Sequence, residues 1–545
     1  MPIRTISTQP YTDQKPGTSG LRKRVTQFQQ PHYLENFVQA IFDSLEPERR
    51  NTLLVGGDGR YFNPEAIQTI LRLAVGNGFH RILVGQHGYL STPAASLLIR
   101  RYQLDGGIIL SASHNPGGPD GDFGVKFNTH SGGPASEKVT SRIHQLASSL
   151  TQYRIAEMEP LPLQACESWQ VEESQIEIID SVQDYSDLMQ ELFDFELIRE
   201  RFAGGQLRIV YDAMHAITGP YAREIFVNRL GAAQECLLNA EPKPDFGNAH
   251  PDPNLAHTSG LQAVMNQSSG APDLGAASDG DGDRNMILGQ EFFVTPSDSL
   301  AVLAANAQQV PGYRDGIVGV ARSMPTSRAV DRVAAQLDVA CYETPTGWKF
   351  FGNLLDDGRI TFCGEESFGT GSAHIREKDG LWAVLFWLNL LAVRSESVAE
   401  IIMAHWREFG RDYYTRHDYE NIDSQIAEQL VANLRTQLTS LPGRSIDGFV
   451  ITAADDFCYK DPVDGSLSEH QGIRIIFGQQ ARIVVRLSGT GTEGATLRLY
   501  IEQYEPPEGE LFEATGQFLK PLLAVSENLL PICHKTGRVG PDVIT

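Results

Sequence analysis

No apolar run in this chain is long enough to cross a bilayer. The longest, 381–393, contains Asn389 and falls short of the ~20 residues a spanning helix needs. It is expected to form a buried helix. The start of the sequence shows no apolar signal core. Cysteine is scarce: six thiols, Cys166, Cys236, Cys341, Cys363, Cys458 and Cys533, lack C-x-x-C spacing. That pattern indicates neither a zinc site nor a disulfide framework and predicts reduced, mostly buried thiols in a cytoplasmic protein. Positive charge is also in deficit, with 45 Lys and Arg against 68 Asp and Glu and a net charge of -23. This argues against nonspecific nucleic-acid binding, which needs Lys and Arg to neutralise phosphates. A dinucleotide fingerprint is missing as well. Gly57-Asp58-Gly59 begins one, but Phe62 stands where its third glycine belongs.

What the chain does have is four polar segments, each following an apolar strand. Ser111-Ala112-Ser113-His114-Asn115-Pro116-Gly117-Gly118 follows Gly107-Ile108-Ile109-Leu110. A hydroxyl is a poor nucleophile until a base, a metal or a phosphate-stabilising environment activates it, and His114 is the neighbour of Ser113. By itself the octapeptide reads equally as an Asn-Pro-Gly-Gly turn.

Ser278-Asp279-Gly280-Asp281-Gly282-Asp283-Arg284 alternates three carboxylates with glycines. Alternate side chains project the same way and glycine lets the chain wrap closely, so three hard oxygens converge on Mg²⁺ or Ca²⁺. An EF-hand is excluded, because its sixth position holds Arg284 instead of Gly and its twelfth holds Gln290 instead of Glu.

Arg486-Leu487-Ser488-Gly489-Thr490-Gly491-Thr492-Glu493-Gly494-Ala495-Thr496-Leu497-Arg498 is a Gly/Ser/Thr loop flanked by arginines, suited to cradling phosphate without a Walker sequence; alone, it also fits a flexible hairpin loop. Gly364-Glu365-Glu366-Ser367-Phe368-Gly369, followed by Lys378, offers hydrogen-bonding groups to a polyol. A carboxylate pair at a helix N-terminus is the competing reading.

At 545 residues, 41% of them apolar, the chain has material for several cores. A strand–helix–strand pattern recurs three times, from Leu53, Leu207 and Gly316, with Pro64, Pro220 and Pro325 at the expected helix starts. After about residue 405, a helical segment at 426–438 and several short strands suggest a smaller α+β domain. The predicted fold is α/β: three related mixed-sheet α/β domains plus a smaller C-terminal α+β domain, arranged round a central cleft. The expected boundaries are 1–188 with the serine loop, 189–304 with the metal loop, 305–407 with the sugar loop and 408–545 with the phosphate loop.

These segments, with Pro16-Gly17-Thr18-Ser19-Gly20-Leu21-Arg22 and Thr344-Pro345-Thr346-Gly347-Trp348-Lys349-Phe350, resemble in order the phosphoglucomutases of the α-D-phosphohexomutase superfamily. The resemblance implies interconversion of α-D-glucose 1-phosphate and glucose 6-phosphate through a phosphoserine and glucose 1,6-bisphosphate. It implies Ser113 as the phosphoryl carrier, with Asp279, Asp281, Asp283 and the Ser113 phosphate on Mg²⁺. Arg22, His114, Lys126, Arg284 and Lys378 match charged or proton-transferring groups. Thr346, Gly347, Glu365 and Ser367 match sugar contacts, and Arg486, Ser488, Gly489, Thr490 and Arg498 match the distal phosphate site. Positive charge would then be concentrated locally at Arg22, Lys126, Lys349, Arg486 and Arg498. Ser111, Ala373 and Glu493 depart from the family pattern. Expected partners are small sugar phosphates, with no nucleic acid or membrane, and the expected state is a monomer or weak dimer. The alternatives are a mutase for mannose or N-acetylglucosamine phosphate, or an inert binding or regulatory relative.

Overall fold

The computed structural model describes residues 2–17, 19–488 and 494–545. The chain divides into two compact units, Met1–Val320 with Gly347–Ala399, and Ala321–Thr346 with Glu400–Thr545.

In the first unit a seven-stranded sheet runs in the order Leu21–Arg24, Asp122–Thr129, Gly106–Leu110, Thr52–Gly57, Arg81–Tyr89, Ser174–Ile179, Ser168–Val171. Four adjacent strands, from Gly106–Leu110 to Ser174–Ile179, are parallel, and the outer ones are antiparallel. The parallel strands are covered on both faces, which is why Gly106–Leu110 is apolar and buried throughout. Helix Asn63–Gly76 carries Pro64 in its first turn, where the missing N–H costs nothing. Helix Thr92–Arg101 starts with the Ser91 side chain accepting from the Ala94 N–H. The chain leaves Thr52–Gly57 to one side to reach Arg81–Tyr89, and later arrives on the other side as Gly106–Leu110. Strand order therefore reverses between Thr52–Gly57 and Gly106–Leu110, and the loops at their carboxyl ends, 58–60 and 111–113, emerge together.

The same plan recurs in a five-stranded sheet of order Leu237–Leu238, Ile209–Asp212, Leu274–Ala277, Met286–Gly289, Phe292–Val294. Ile209–Asp212 is parallel to both neighbours, and the order reverses between it and Leu274–Ala277, whose carboxyl end feeds the triple-aspartate loop. Farther on, Phe362–Glu365 and Gly369–Ser372 form an antiparallel hairpin. The element order strand, helix, strand, helix, strand, strand appears there a third time, from Gly319–Ser323 to Gly369–Ser372. Helix Gly380–Arg394 is buried from Gly380 through Ala392, as expected of its apolar run.

The second unit is built on a six-stranded antiparallel sheet of order Ala453–Asp456, Ile473–Phe477, Ala481–Ser488, Ala495–Glu505, Arg411–Ile422, Val543–Ile544. Helix Ser424–Gln437 and helix Lys520–Leu529 cover its apolar face through Leu430, Leu434, Leu522 and Val525.

Three local expectations differ from the structure. The third repeat's strand begins at Gly319, because Gly316 takes a left-handed turn at φ +89°, and its helix begins at Ala329. The second strand of the repeat that starts near Leu207 is only Leu237–Leu238, an edge strand preceded by the 3₁₀ turn Gln234–Cys236. The thiols are not mostly buried: Cys166, Cys341 and Cys458 are exposed, on loops or an edge strand. All six are free.

Candidate active site

Ser113 adopts φ +53°, a left-handed conformation uncommon outside glycine, and is only 2% exposed. Its Oγ donates to Asp279 Oδ2 at 2.7 Å and lies 3.3 Å from His114 Nδ1. Burial, then the positive charges of Arg284, Arg22 and Lys378, push the His114 imidazole well below its ordinary value. The shift favours the neutral imidazole.

The aspartate loop packs directly on the serine. A Cβ on Gly280 would fall 2.3 Å from the Ser113 carbonyl oxygen, so only glycine permits this approach. Asp279, Asp281 and Asp283 are buried and bring one oxygen each within 4.8 Å of the others. Asp279 Oδ1 accepts from the N–H groups of Asp283 and Arg284, both at 3.0 Å. Asp281 Oδ2 accepts from Thr92 Oγ1 at 2.5 Å and from the Lys126 ammonium. Asp283 Oδ2 lies 3.2 Å from Lys378 Nζ and 3.6 Å from Lys126 Nζ.

Burial, reinforced by Asp283 and Asp281, pushes the Asp279 carboxyl well above the usual range. Burial also raises Asp281, but the Lys126 ammonium more than offsets this and holds it low. Asp281 Oδ1 and Asp283 Oδ1 are buried with no hydrogen-bond partner among the described residues. Three desolvated carboxylates with two unused oxygens fit a hard metal ion, which would supply the missing charge and fill the open acceptors.

The hairpin turn 366–368 is tied to this loop. The Asn285 N–H donates to the Phe368 carbonyl at 2.9 Å, and Arg284 forms a β-bridge with Gly369. Glu365 accepts from the Gly347 N–H at 2.8 Å, with Gly347 at φ +127°. Burial raises the Glu365 carboxyl, and Lys378 opposes it. The Lys378 side chain crosses the hairpin so closely that a Cβ on Gly369 would meet its Cδ at 2.3 Å.

In the second unit, Asp418, Arg498 and Arg486 occupy one row across three adjacent strands. Like charges directly opposite are unfavourable, so the arginine pair suits an anion. Asp418 steadies the row, with Oδ2 3.4 Å from Arg498 Nε and Oδ1 3.0 Å from Arg416 Nε. Arg486 Nε donates to the Gln471 carbonyl at 3.2 Å. Ser488 ends its strand, while Gly489, Thr490 and Glu493 lie outside the described residues. Thr346 belongs to this unit, and its buried Oγ1 has no hydrogen-bond partner among the described residues.

Four family models cover almost the whole chain. Residues 13–154, 183–291 and 296–409 match the phosphoglucomutase/phosphomannomutase α/β/α domains I, II and III, and residues 411–542 match the C-terminal domain of phosphoglucomutase-1. The chain belongs to the phosphoglucomutase family. A phosphoglucomutase from Rhizobium radiobacter is 56% identical over 543 residues, covering 100% of both chains. A cytoplasmic phosphoglucomutase from Populus tremula is 49% identical, covering 100% of this chain and 99% of its own. Relatives designated chloroplastic match the full length of this chain too, so compartment varies within the family. The open-form crystal structure of the Paramecium phosphoprotein pp63/parafusin, a phosphoglucomutase, superposes with a TM-score of 0.93 at 47% identity, covering 100% of this chain and 99% of that one.

Within this phosphoglucomutase-family chain, the first unit brings together Ser113, His114, Lys126, Asp279, Asp281, Asp283, Arg284, Gly347, Glu365 and Lys378 through the contacts above. Ser367 sits in the hairpin turn. Arg22 pairs in register with Gly124, and its Nε is buried without a hydrogen-bond partner among the described residues. Burial lowers this guanidinium from its ordinary value, and Asp281 opposes that shift. Lys349 Nζ pairs with Glu137 Oε2 at 2.9 Å. Sequence reasoning missed Thr92, which braces Asp281, and Asp252, whose Oδ1 lies 3.2 Å from Arg284 Nη1. No short-range pattern marks either residue.

Proposed function

We propose that this chain interconverts α-D-glucose 1-phosphate and glucose 6-phosphate, with Ser113 carrying the phosphoryl group and glucose 1,6-bisphosphate as the bound intermediate. The observation that carries this reading is the placement of the Ser113 hydroxyl 2.7 Å from a buried triple-carboxylate cluster that has acceptors to spare. Mg²⁺ held by Asp279, Asp281 and Asp283, with one oxygen at Ser113, would neutralise charge on the transferring group. The remaining work is positioning and proton handling. His114 and Lys378 border the serine and the triad and are the proposed proton-transferring pair, with Arg22, Lys126 and Arg284 offsetting phosphate charge. Glu365, Ser367, Gly347 and Thr346 are the proposed sugar contacts. Arg486, Ser488, Gly489, Thr490 and Arg498 are proposed to hold the phosphate that is not reacting.

We assign these roles to the four segments 1–188, 189–304, 305–407 and 408–545. Every group invoked comes from one chain, in keeping with a monomer or weak dimer. The cytoplasm is the proposed location, as for the Populus relative. The deciding experiment is a coupled assay with glucose 1-phosphate, Mg²⁺ and a trace of glucose 1,6-bisphosphate. Robust formation of glucose 6-phosphate is expected, and a clear preference for mannose 1-phosphate would overturn the choice of sugar.

Replacing Arg498 with alanine tests the phosphate assignment. Losing one charged fork costs about 1.5–3 kcal/mol, or about ten- to hundredfold in kcat/KM for glucose 1-phosphate. Lysine at this position should rescue only partly, because a point charge cannot reproduce two parallel N–H bonds. Transfer from the phosphoenzyme to glucose, which has no second phosphate, should be nearly unchanged. Equal losses on both acceptors would place Arg498 in the chemistry or the fold instead.

A further inference from the structure

Both backbone polar groups of Ser113 are gripped by side chains from elsewhere in the first unit. Its N–H donates to Ser111 Oγ at 2.7 Å, and Ser111 Oγ in turn donates to Asp58 Oδ2 at 2.6 Å. Its carbonyl accepts from Arg60 Nη2 at 2.8 Å. Arg60 Nε also donates to Asp58, at 3.1 Å to Oδ1 and 2.9 Å to Oδ2, and the Arg60 backbone N–H reaches Oδ1 at 3.1 Å. The other terminal nitrogen, Nη1, donates to the Asp122 carbonyl at 2.7 Å, and the guanidinium lies over the Phe246 ring at 5.2 Å. Two short loops at the switch point of the sheet are thereby joined into one hydrogen-bonded ring.

Asp58 and Arg60 are both 0% exposed. Burying an ion pair is expensive, and well-packed apolar residues of similar volume often do as well for stability. A purely structural need therefore explains the pair poorly. The ring does secure a residue whose backbone needs support, because a serine at φ +53° is strained unless its surroundings over-determine the conformation. Its gripped carbonyl is also the atom that rests against Gly280 of the aspartate loop.

We propose that Asp58, Arg60 and Ser111 form a positioning clamp that holds the Ser113 backbone left-handed and so aims its Oγ at the triple-aspartate cluster. None of the three touches the reacting atoms. The clamp sets the line of transfer through the backbone of Ser113, and the inference rests on the reading of Ser113 as phosphoryl carrier.

Ser111→Ala removes the link between the Ser113 N–H and Asp58 with the loss of a single oxygen. It leaves the buried Ser113 N–H without its acceptor and takes one of two donors from Asp58 Oδ2, which should lower kcat by about ten- to hundredfold with KM for glucose 1-phosphate held within about twofold. Ser111→Thr keeps the hydroxyl and should recover most of the loss. Arg60→Lys, which cannot hold Asp58 and two carbonyls at once, should show the same kcat-only loss, and it serves as the second variant should Ser111→Ala fail to fold. Thermal melting and the phosphorus resonance of the phosphoserine accompany the kinetics, the resonance shifting or broadening where the clamp is cut. Parent-like kcat in Ser111→Ala, equal losses in the alanine and threonine variants, or a loss confined to KM would each overturn the clamp. A parent protein without phosphoserine or mutase turnover would instead overturn the reading of Ser113.

Discussion

Ser113→Ala should abolish turnover of glucose 1-phosphate while leaving the fold in place. The hydroxyl is the proposed covalent carrier, and removing a covalent nucleophile costs on the order of a millionfold where the residues act as a unit. Nothing nearby can take over. His114 Nδ1 lies 3.3 Å from the missing oxygen, but an imidazole there has no route into the Asp279 contact that Ser113 Oγ makes at 2.7 Å. The structural cost should be modest. The loop is held through the backbone of Ser113 by Ser111 and Arg60, and neither bond involves the deleted oxygen. Alanine does face the same left-handed φ, so a small drop in melting temperature is expected, not unfolding. Intact-mass measurement should find a phosphate on active parent protein and none on the variant, and full turnover by the variant would remove Ser113 from the mechanism.

The parts of this molecule legible in the sequence are those whose chemistry is written in adjacent residues. Three carboxylates alternate with glycines in 279–283, and a turn in which the Gly282 N–H donates to the Asp279 carbonyl at 3.1 Å, with Gly282 at φ +79°, gathers them within 4.8 Å. Arg486 and Arg498 flank a glycine-rich loop, so a simple hairpin places them opposite one another. The Asp58–Arg60 pair was not legible, because Gly57-Asp58-Gly59 reads locally as an unfinished nucleotide fingerprint. Its meaning depends on Thr52–Gly57 pairing with Gly106–Leu110, which brings Arg60 to the carbonyl of a residue 53 positions away. Lys126 and Asp281 are likewise 155 positions apart. The long strand Arg411–Ile422 escaped notice for another reason. Its charged residues mask the alternation, and several of them are paired within the second unit, such as Asp412 with Arg332 at 2.8 Å and Arg416 with Asp418 at 3.0 Å.

Asp281→Asn should weaken magnesium binding far more than it disturbs the loop. Asn is nearly isosteric, and its side chain can still accept from Thr92 Oγ1, so the turn between Gly280 and Gly282 has no reason to open. What disappears is one negative charge from a cluster of three. In the parent that charge is fully developed, since the Lys126 ammonium overcomes burial and holds the Asp281 carboxyl low, while Asp279 is pushed up by burial and by its two neighbours. Asp281 therefore supplies much of the field that draws a dication to the site. Its removal also leaves Lys126 with Asp283 at 3.6 Å as its remaining partner in the triad. Mutating a residue that merely supports a metal ligand costs about ten- to hundredfold in metal affinity, and losing a charged ligand costs at least as much. The expected result is a magnesium titration displaced upward by on the order of a hundredfold, with turnover only partly restored at saturation. Magnesium should raise the melting temperature of the parent and do so weakly in the variant, a readout independent of catalysis. Phosphate binding through Arg486 and Arg498 draws on other residues and should be comparatively unharmed. Superimposable magnesium titrations for variant and parent would show that the aspartate loop is not where the metal binds.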